Sequence, residues 1–136
     1  IDFVSGIDIS PGRSAVAIVR GYKSILIFDL LLERISHDIA VTSAADYSVC
    51  RYIDATQLMT GGRNATALWD LTTQTMLTSY SWNATSLSVL GGTRYVACGI
   101  AFVGEVVVVS VDSGEVVWKL ANAHGVAFSS ATMILM

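Results

Sequence analysis

Short apolar runs alternate with polar, glycine-containing gaps along the whole chain, and few of the runs have the spacing of a helix face. Three of them are alike: Ile25-Leu26-Ile27-Phe28-Asp29-Leu30, Ala65-Thr66-Ala67-Leu68-Trp69-Asp70-Leu71 and Val107-Val108-Val109-Ser110-Val111-Asp112. Each ends in an aspartate, and the aspartates stand 41 and then 42 residues apart. Around each run the pattern predicts four strands. In the first unit these are 6–10, 15–19, 25–30 and 34–41, with Pro11-Gly12-Arg13 and Gly21-Tyr22-Lys23-Ser24 as turns. Pro pre-sets φ and Gly accepts positive φ, which is why such residues punctuate strands. The second unit reads 48–53, 57–60, 65–71 and 75–80, with Gly61-Gly62-Arg63-Asn64 as a turn. The third reads 86–90, 95–99, 105–111 and 115–120, with turns at Gly91-Gly92-Thr93 and Asp112-Ser113-Gly114. A fourth begins at 125–130 and stops within a second strand, 133–136. The helix formers in 29–39 allow one helical turn; elsewhere Val, Ile, Thr and Tyr dominate and favour strands.

A four-stranded unit repeated every 40–45 residues, with a Trp-Asp pair at the end of the third strand, is the sequence mark of a β-propeller blade. The expected fold is therefore all-β: about three four-stranded antiparallel blades plus part of a fourth, with units at 4–41, 47–80, 84–121 and 124–136. Closed propellers have 4–8 blades, so the ring is expected to be incomplete. The further blades would come from the rest of the protein or from another chain, and the 136 residues alone are not expected to make a well-behaved monomer.

Composition supports a chain with much apolar surface to cover. Charged residues make up 14% against about 25% in an average domain, and mean hydropathy is +0.60. No stretch reads as a membrane-spanning helix, because the longest charge-free segment, 71–93, is rich in Thr, Ser, Asn and Gln. Continuous runs such as 106–109 fit strands buried on both faces better than a transmembrane barrel. The net charge is −3 and no window gathers four or five Lys or Arg, so no phosphate-binding footprint is present. Cys50 and Cys98 fall within strands and read as buried free thiols, pointing to a reducing compartment. Asn64-Ala65-Thr66 and Asn83-Ala84-Thr85 are sequons that matter only in a secreted protein.

The residues Ala67-Leu68-Trp69-Asp70-Leu71-Thr72-Thr73 resemble the third-strand ending of the WD-repeat β-propeller family. Gly6-Ile7-Asp8-Ile9-Ser10-Pro11-Gly12 and Gly125-Val126-Ala127-Phe128-Ser129-Ser130 resemble its innermost strand, and Ala123-His124 its Gly-His dipeptide. The family often carries a network of His, Ser/Thr, Asp and Trp within a repeat, its Asp in the turn between the second and third strands. Here those turns lack Asp, which implies degenerate repeats held by apolar packing. Residues 105–120 also resemble quinoprotein-type repeats through Asp112-Ser113-Gly114 and Trp118-Lys119.

A catalytic set is not visible. His37 and His124 are far apart in sequence, no closely spaced Cys/His pair suits a metal, and no serine has a nucleophile-elbow context. Asp29, Asp70 and Asp112 read as strand-end hydrogen-bonding groups rather than as a ring of carboxylates. No cofactor is expected. What remains is binding. In a propeller the second-to-third strand turns and the inter-blade loops share one face, which would gather Tyr22, Lys23, Arg63, Asn64, Trp82, Phe102 and His124, with Asp46, Asn83 and Asn122 beside them. Tyr, Trp and Arg are enriched at binding hot spots. Trp82 stands out because its neighbours Tyr80-Ser81 and Asn83 are not an apolar run, whereas Trp69 and Trp118 lie in strand patterns and read as core. The resemblance implies a non-enzymatic scaffold for protein–protein interaction inside a larger protein or multi-subunit complex. It would be cytoplasmic or nuclear, with other protein subunits as partners, no nucleic acid and no membrane span. The alternative is the propeller portion of an enzyme, or of a quinoprotein-like envelope assembly factor, whose active groups lie outside this chain.

Overall fold

The computed structural model describes residues 4–20, 24–41, 45–121, 126–129 and 132–135. Three four-stranded antiparallel sheets follow one another along the chain, each a meander in which a strand pairs with its sequence neighbours. The first holds β1 (Gly6–Ile9), β2 (Ala15–Arg20), β3 (Ser24–Asp29) and β4 (Arg34–Ala40). The second holds β5 (Tyr47–Tyr52), β6 (Gln57–Gly62), β7 (Thr66–Asp70) and β8 (Thr75–Ser79). The third holds β9 (Ser86–Val89), β10 (Tyr95–Ile100), β11 (Glu105–Ser110) and β12 (Val116–Ala121). A hairpin of β13 (Val126–Ser129) and β14 (Thr132–Leu135) comes last. No helix occurs among the described residues, so the helical reading of 29–39 is replaced by a turn at 30–33.

The chain forms two compact units, Ile1–Asn83 and Ala84–Met136. In the first, one face of sheet β1–β4 packs on sheet β5–β8. Ala17, Val19, Ile25, Ile27 and Ile39 meet Tyr47, Cys50, Leu58, Ala67 and Trp69 in one core. The period of two along each strand causes this: Val19 and Ala17 face inward while Ile18 does not. In the second unit Ala97, Val106 and Val108 form a cluster with Leu120 at its margin. The apolar runs of β3, β7 and β11 are buried along most of their length, as expected for strands with both faces covered.

The third and fourth strands of every sheet share one irregularity. The register shifts between Ile27 and Phe28, between Leu68 and Trp69, and between Val108 and Val109. This fixes equivalence among the sheets: Asp29 and Asp70 correspond to Ser110, not to Asp112. The turns agree. Asp29 Oδ1 accepts from the amides of Leu31 and Leu32, and Asp70 Oδ1 from those of Thr72 and Thr73. In the third sheet Ser110 Oγ accepts from the amide of Ser113. Four residues past each of these comes a left-handed residue, Glu33 (φ 54°), Gln74 (φ 59°) and Gly114 (φ 72°). The expectation that Asp112 closes a third strand is therefore corrected. Gly114 takes the left-handed conformation without steric cost, a serine suffices at the strand end, and Asp112 lies in the turn paired with Arg94.

Two further expectations are corrected. Gly61 and Gly62 belong to β6 and are buried, rather than forming a turn. A Cβ on Gly62 would lie 1.8 Å from the carbonyl oxygen of Asp46, so the residue is small because another backbone crosses there. Trp118 is 41% exposed, because β12 is an outer strand whose side chains, Leu120 apart, remain largely in solvent. Trp69, by contrast, is 4% exposed.

Candidate functional site

At the end of the second sheet where β6 turns into β7, an ion pair and a side-chain hydrogen bond join that turn to the segment before β5. Arg63 stands in that turn and is exposed; its guanidinium lies 3.3 Å from the Asp46 carboxylate. The side-chain oxygen of Asn64 accepts the Asp46 amide at 2.8 Å. Gly62 lets the Asp46 backbone come this close. The turn and the segment leading into β5 are thus pinned together by one charged and one neutral contact. An exposed ion pair of this kind contributes at most about 1 kcal/mol, so its effect is to orient Arg63 rather than to hold the fold.

Beside the turn lies an open cleft of about 300 Å³ lined by Ala45, Tyr47, Asn64, Thr66, Met76 and Tyr80, among others. Tyr80 packs against Trp82 with ring centroids 4.9 Å apart and planes tilted by 32°. Trp82 is half-buried and its indole N–H has no acceptor among the described residues. The structure therefore links Arg63, Asn64, the cleft and, through Tyr80, Trp82. Phe102 lies in the other compact unit, in the turn between β10 and β11, and is 76% exposed. Tyr22, Lys23, Asn122 and His124 fall outside the described residues. Sequence reasoning missed Tyr80, Tyr47 and Met76. Tyr80 could have been found from its position two residues before Trp82 in a charge-free segment.

Behind the cleft is a hydrogen-bonded cluster. Trp69 Nε1 donates to Thr60 Oγ1 at 2.9 Å, and the Tyr47 hydroxyl is hydrogen-bonded to Thr60. The Tyr47 and Trp69 rings meet edge to face, 6.1 Å between centroids. Burial raises the Tyr47 phenol above its ordinary range, and the Thr60 bond opposes that rise. This sheet is thus not held by apolar packing alone: it retains a threonine–tryptophan bond, with a tyrosine as the third member. Nearby, burial pushes the Cys50 thiol up to about 12; the Asp8 carboxylate adds to this and the Arg51 guanidinium opposes it. Tyr52 is also pushed up to about 12, by burial first, then by Cys50 and Asp8, and its hydroxyl has no partner among the described residues. Both cysteines are buried and neither is in a disulfide. No group of three or more His, Cys, Asp or Glu is placed to hold a metal among the described residues. No helix there is long and apolar enough to cross a membrane.

No family model matches the chain, and no curated protein matches it. Solved structures do. The chain is similar to "Structure of U3-55K" and to "Crystal structure of RRP9 WD40 repeats", each with a TM-score of 0.81 and 16% identity. In both cases 93% of this chain and 42% of the other are covered. The fold is that of a WD-repeat β-propeller, all-β and built of four-stranded antiparallel blades. The chain spans less than half the length of these structures, and the described residues form three sheets and one hairpin, fewer than a closed ring of the same kind needs.

Proposed function

We propose that the chain is a non-enzymatic scaffold for protein–protein interaction, a propeller segment working within a larger protein or multi-subunit complex in the cytoplasm or nucleus. The observation that carries this reading is the rim of the second sheet. An exposed arginine oriented by Asp46, an open cleft and a Tyr80–Trp82 aromatic pair stand in series. Arg, Tyr and Trp at the margin of a rigid sheet are the residue types that dominate binding energy in protein interfaces. Phe102, exposed in the corresponding turn of the third sheet, extends the set. Tyr22, Lys23 and His124, outside the described residues, are included in the proposed set on the sequence pattern alone. The remaining blades would be supplied by the rest of the protein or by another chain. Supporting this, Ile7, Ile9, Val16, Ile18, Phe28 and Ile35 share the face of the first sheet that points away from its core, by their registers. Ile7 and Ile9 there are 60% and 57% exposed.

The test is quantitative recovery of partners by the complete protein and by its Arg63→Ala, Trp82→Ala and Phe102→Ala variants. Loss of the same partners from all three, with melting temperatures within a degree or so of the parent, is the expected outcome. An unchanged partner set would overturn the reading.

A further inference from the structure

The outer strands of the three sheets differ in a way that sheet geometry makes consequential. An edge strand leaves a row of main-chain N–H and C=O groups unpaired, and proteins guard such edges with charges, proline or bulges. The bulge is common to all three sheets. Charge is not. β4 carries Arg34 and Asp38, and β12 carries Lys119. β8, Thr75-Met76-Leu77-Thr78-Ser79, has neither charge nor proline and lies within the charge-free segment 71–93. It is last in its sheet, and all five of its residues are exposed, Met76 by 42% and Leu77 by 47%. The opening beside it is also particular. Met76 and Ser79 line the cleft of about 300 Å³ whose other walls are Tyr47, Asn64, Thr66 and Tyr80.

We propose that β8 is a strand-addition site that takes an extended, uncharged segment of a partner protein along its edge, with one large apolar side chain of that segment in the adjoining cleft. The main chain decides the conformation of the occupant. Donors and acceptors repeating at strand spacing are matched only by another strand, whose own side chains alternate between the two faces. One of those faces is the face of Met76 and Ser79, so an alternate side chain of the added strand is directed at the cleft. The chemistry of the occupant follows from the edge: a Lys, Arg, Asp or Glu opposite β8 would lose hydration with no counter-charge on the strand to replace it. The site shares its cleft with the rim surface proposed above but goes beyond it, since it adds the outer edge and main-chain pairing and does not need Arg63, Trp82 or Phe102.

The probe is a fluorescein-labelled, end-capped peptide of about eight residues, alternating threonine and valine with one central leucine. It is compared with the same peptide N-methylated at alternate amides and with a leucine-to-glutamate version. Fluorescence anisotropy with the intact protein should show saturable binding of the parent peptide. Both altered peptides, and the Thr78→Lys protein with the parent peptide, should bind about tenfold or more weakly, equivalent to roughly 1.4 kcal/mol. Deuterium exchange should slow at the amides of 75–79 when peptide is added. Thr78 is exposed, so an unchanged melt should accompany the variant, and the N-methylated peptide tests the pairing without any change to the protein. Absence of saturable binding, equal binding of the N-methylated peptide, or protection at β4 or β12 instead would overturn the proposal. So would a Thr78→Lys substitution that dissolves a self-associated form while no peptide protects β8, because the occupant would then be a second copy. Retained peptide binding in Trp82→Ala separates this site from the rim surface.

Discussion

Replacing Thr60 by valine removes one hydroxyl from a fully buried position and leaves the side-chain volume nearly unchanged. Two groups lose their partner at once: the Trp69 indole N–H, now 2.9 Å from Thr60 Oγ1, and the Tyr47 hydroxyl. A buried donor or acceptor left without a partner costs about 1–3 kcal/mol. Removing the threonine's own buried hydroxyl offsets part of that, so the expected loss is about 2–4 kcal/mol. Trp69→Phe removes the donor as well as part of a ring that is 4% exposed, and has its own packing cost. The double variant separates the two effects: once Trp69 is phenylalanine, Thr60→Val should cost about 1–2 kcal/mol less than it does in the parent, because contacting residues couple. The assay is urea unfolding followed by far-ultraviolet circular dichroism, with the midpoint compared at constant slope. A Thr60→Val loss below about 0.5 kcal/mol, or a coupling near zero in the cycle, would refute the view that this cluster stabilises the second sheet.

Gly62→Ala places a methyl against the Asp46 carbonyl; a loss of about 1–3 kcal/mol, read from the same unfolding midpoint, is expected for a change that forces backbone to move. Trp69→Ala should lower stability by about 3–5 kcal/mol, whereas Trp118→Ala, on an exposed outer strand, should stay within about 1 kcal/mol in parallel thermal melts. Cys50 and Tyr52 have folded pKa values raised above the ordinary 9.0 and 10.0 to about 12, so the unfolded chain loses their protons first. Stability from this source is fully present below pH 9 and is lost as pH rises towards 12, and unfolding midpoints measured across that window should fall. The same shift should leave Cys50 unalkylated by iodoacetamide at pH 8 until the chain unfolds.

Spacing of apolar runs was enough to place the strands of the three sheets, because each run, alternating or continuous, is bounded by turn residues. The turn chemistry was less legible. Asp29 and Asp70 do close their strands, but Asp112 mimics them at nearly the right distance while Ser110 and Gly114 perform the task. An acidic residue can be displaced by two positions without altering a spacing of about forty, whereas the left-handed residue cannot move. Trp118 misled for a related reason: its run is as apolar as that of Trp69, and only position in the sheet distinguishes an outer strand from an inner one. At the candidate site, Arg63 and Asn64 could be read from the turn, and Trp82 from its polar neighbours. Tyr47 and Met76 could not, since their approach to the cleft depends on how β5 and β8 pack, and neighbouring residues give no sign of it.

The meander order of each sheet bears on how the chain acquires its structure during synthesis. Every strand within a sheet pairs with the strand before or after it, so no pairing waits for a distant segment. Loop-closure entropy is therefore small at each step, and folding of this kind is fast for a β protein. A blade can zip as soon as its last strand leaves the ribosome. At that moment it is a twisted sheet with apolar residues on both faces, such as Val106 to Val109 of β11, which are buried in the finished chain. Newly made blades are for that interval sticky intermediates, and the order of translation delivers their neighbours one after another. A pause after the first sheet, before the second sheet that shares its core has been made, would prolong that exposure.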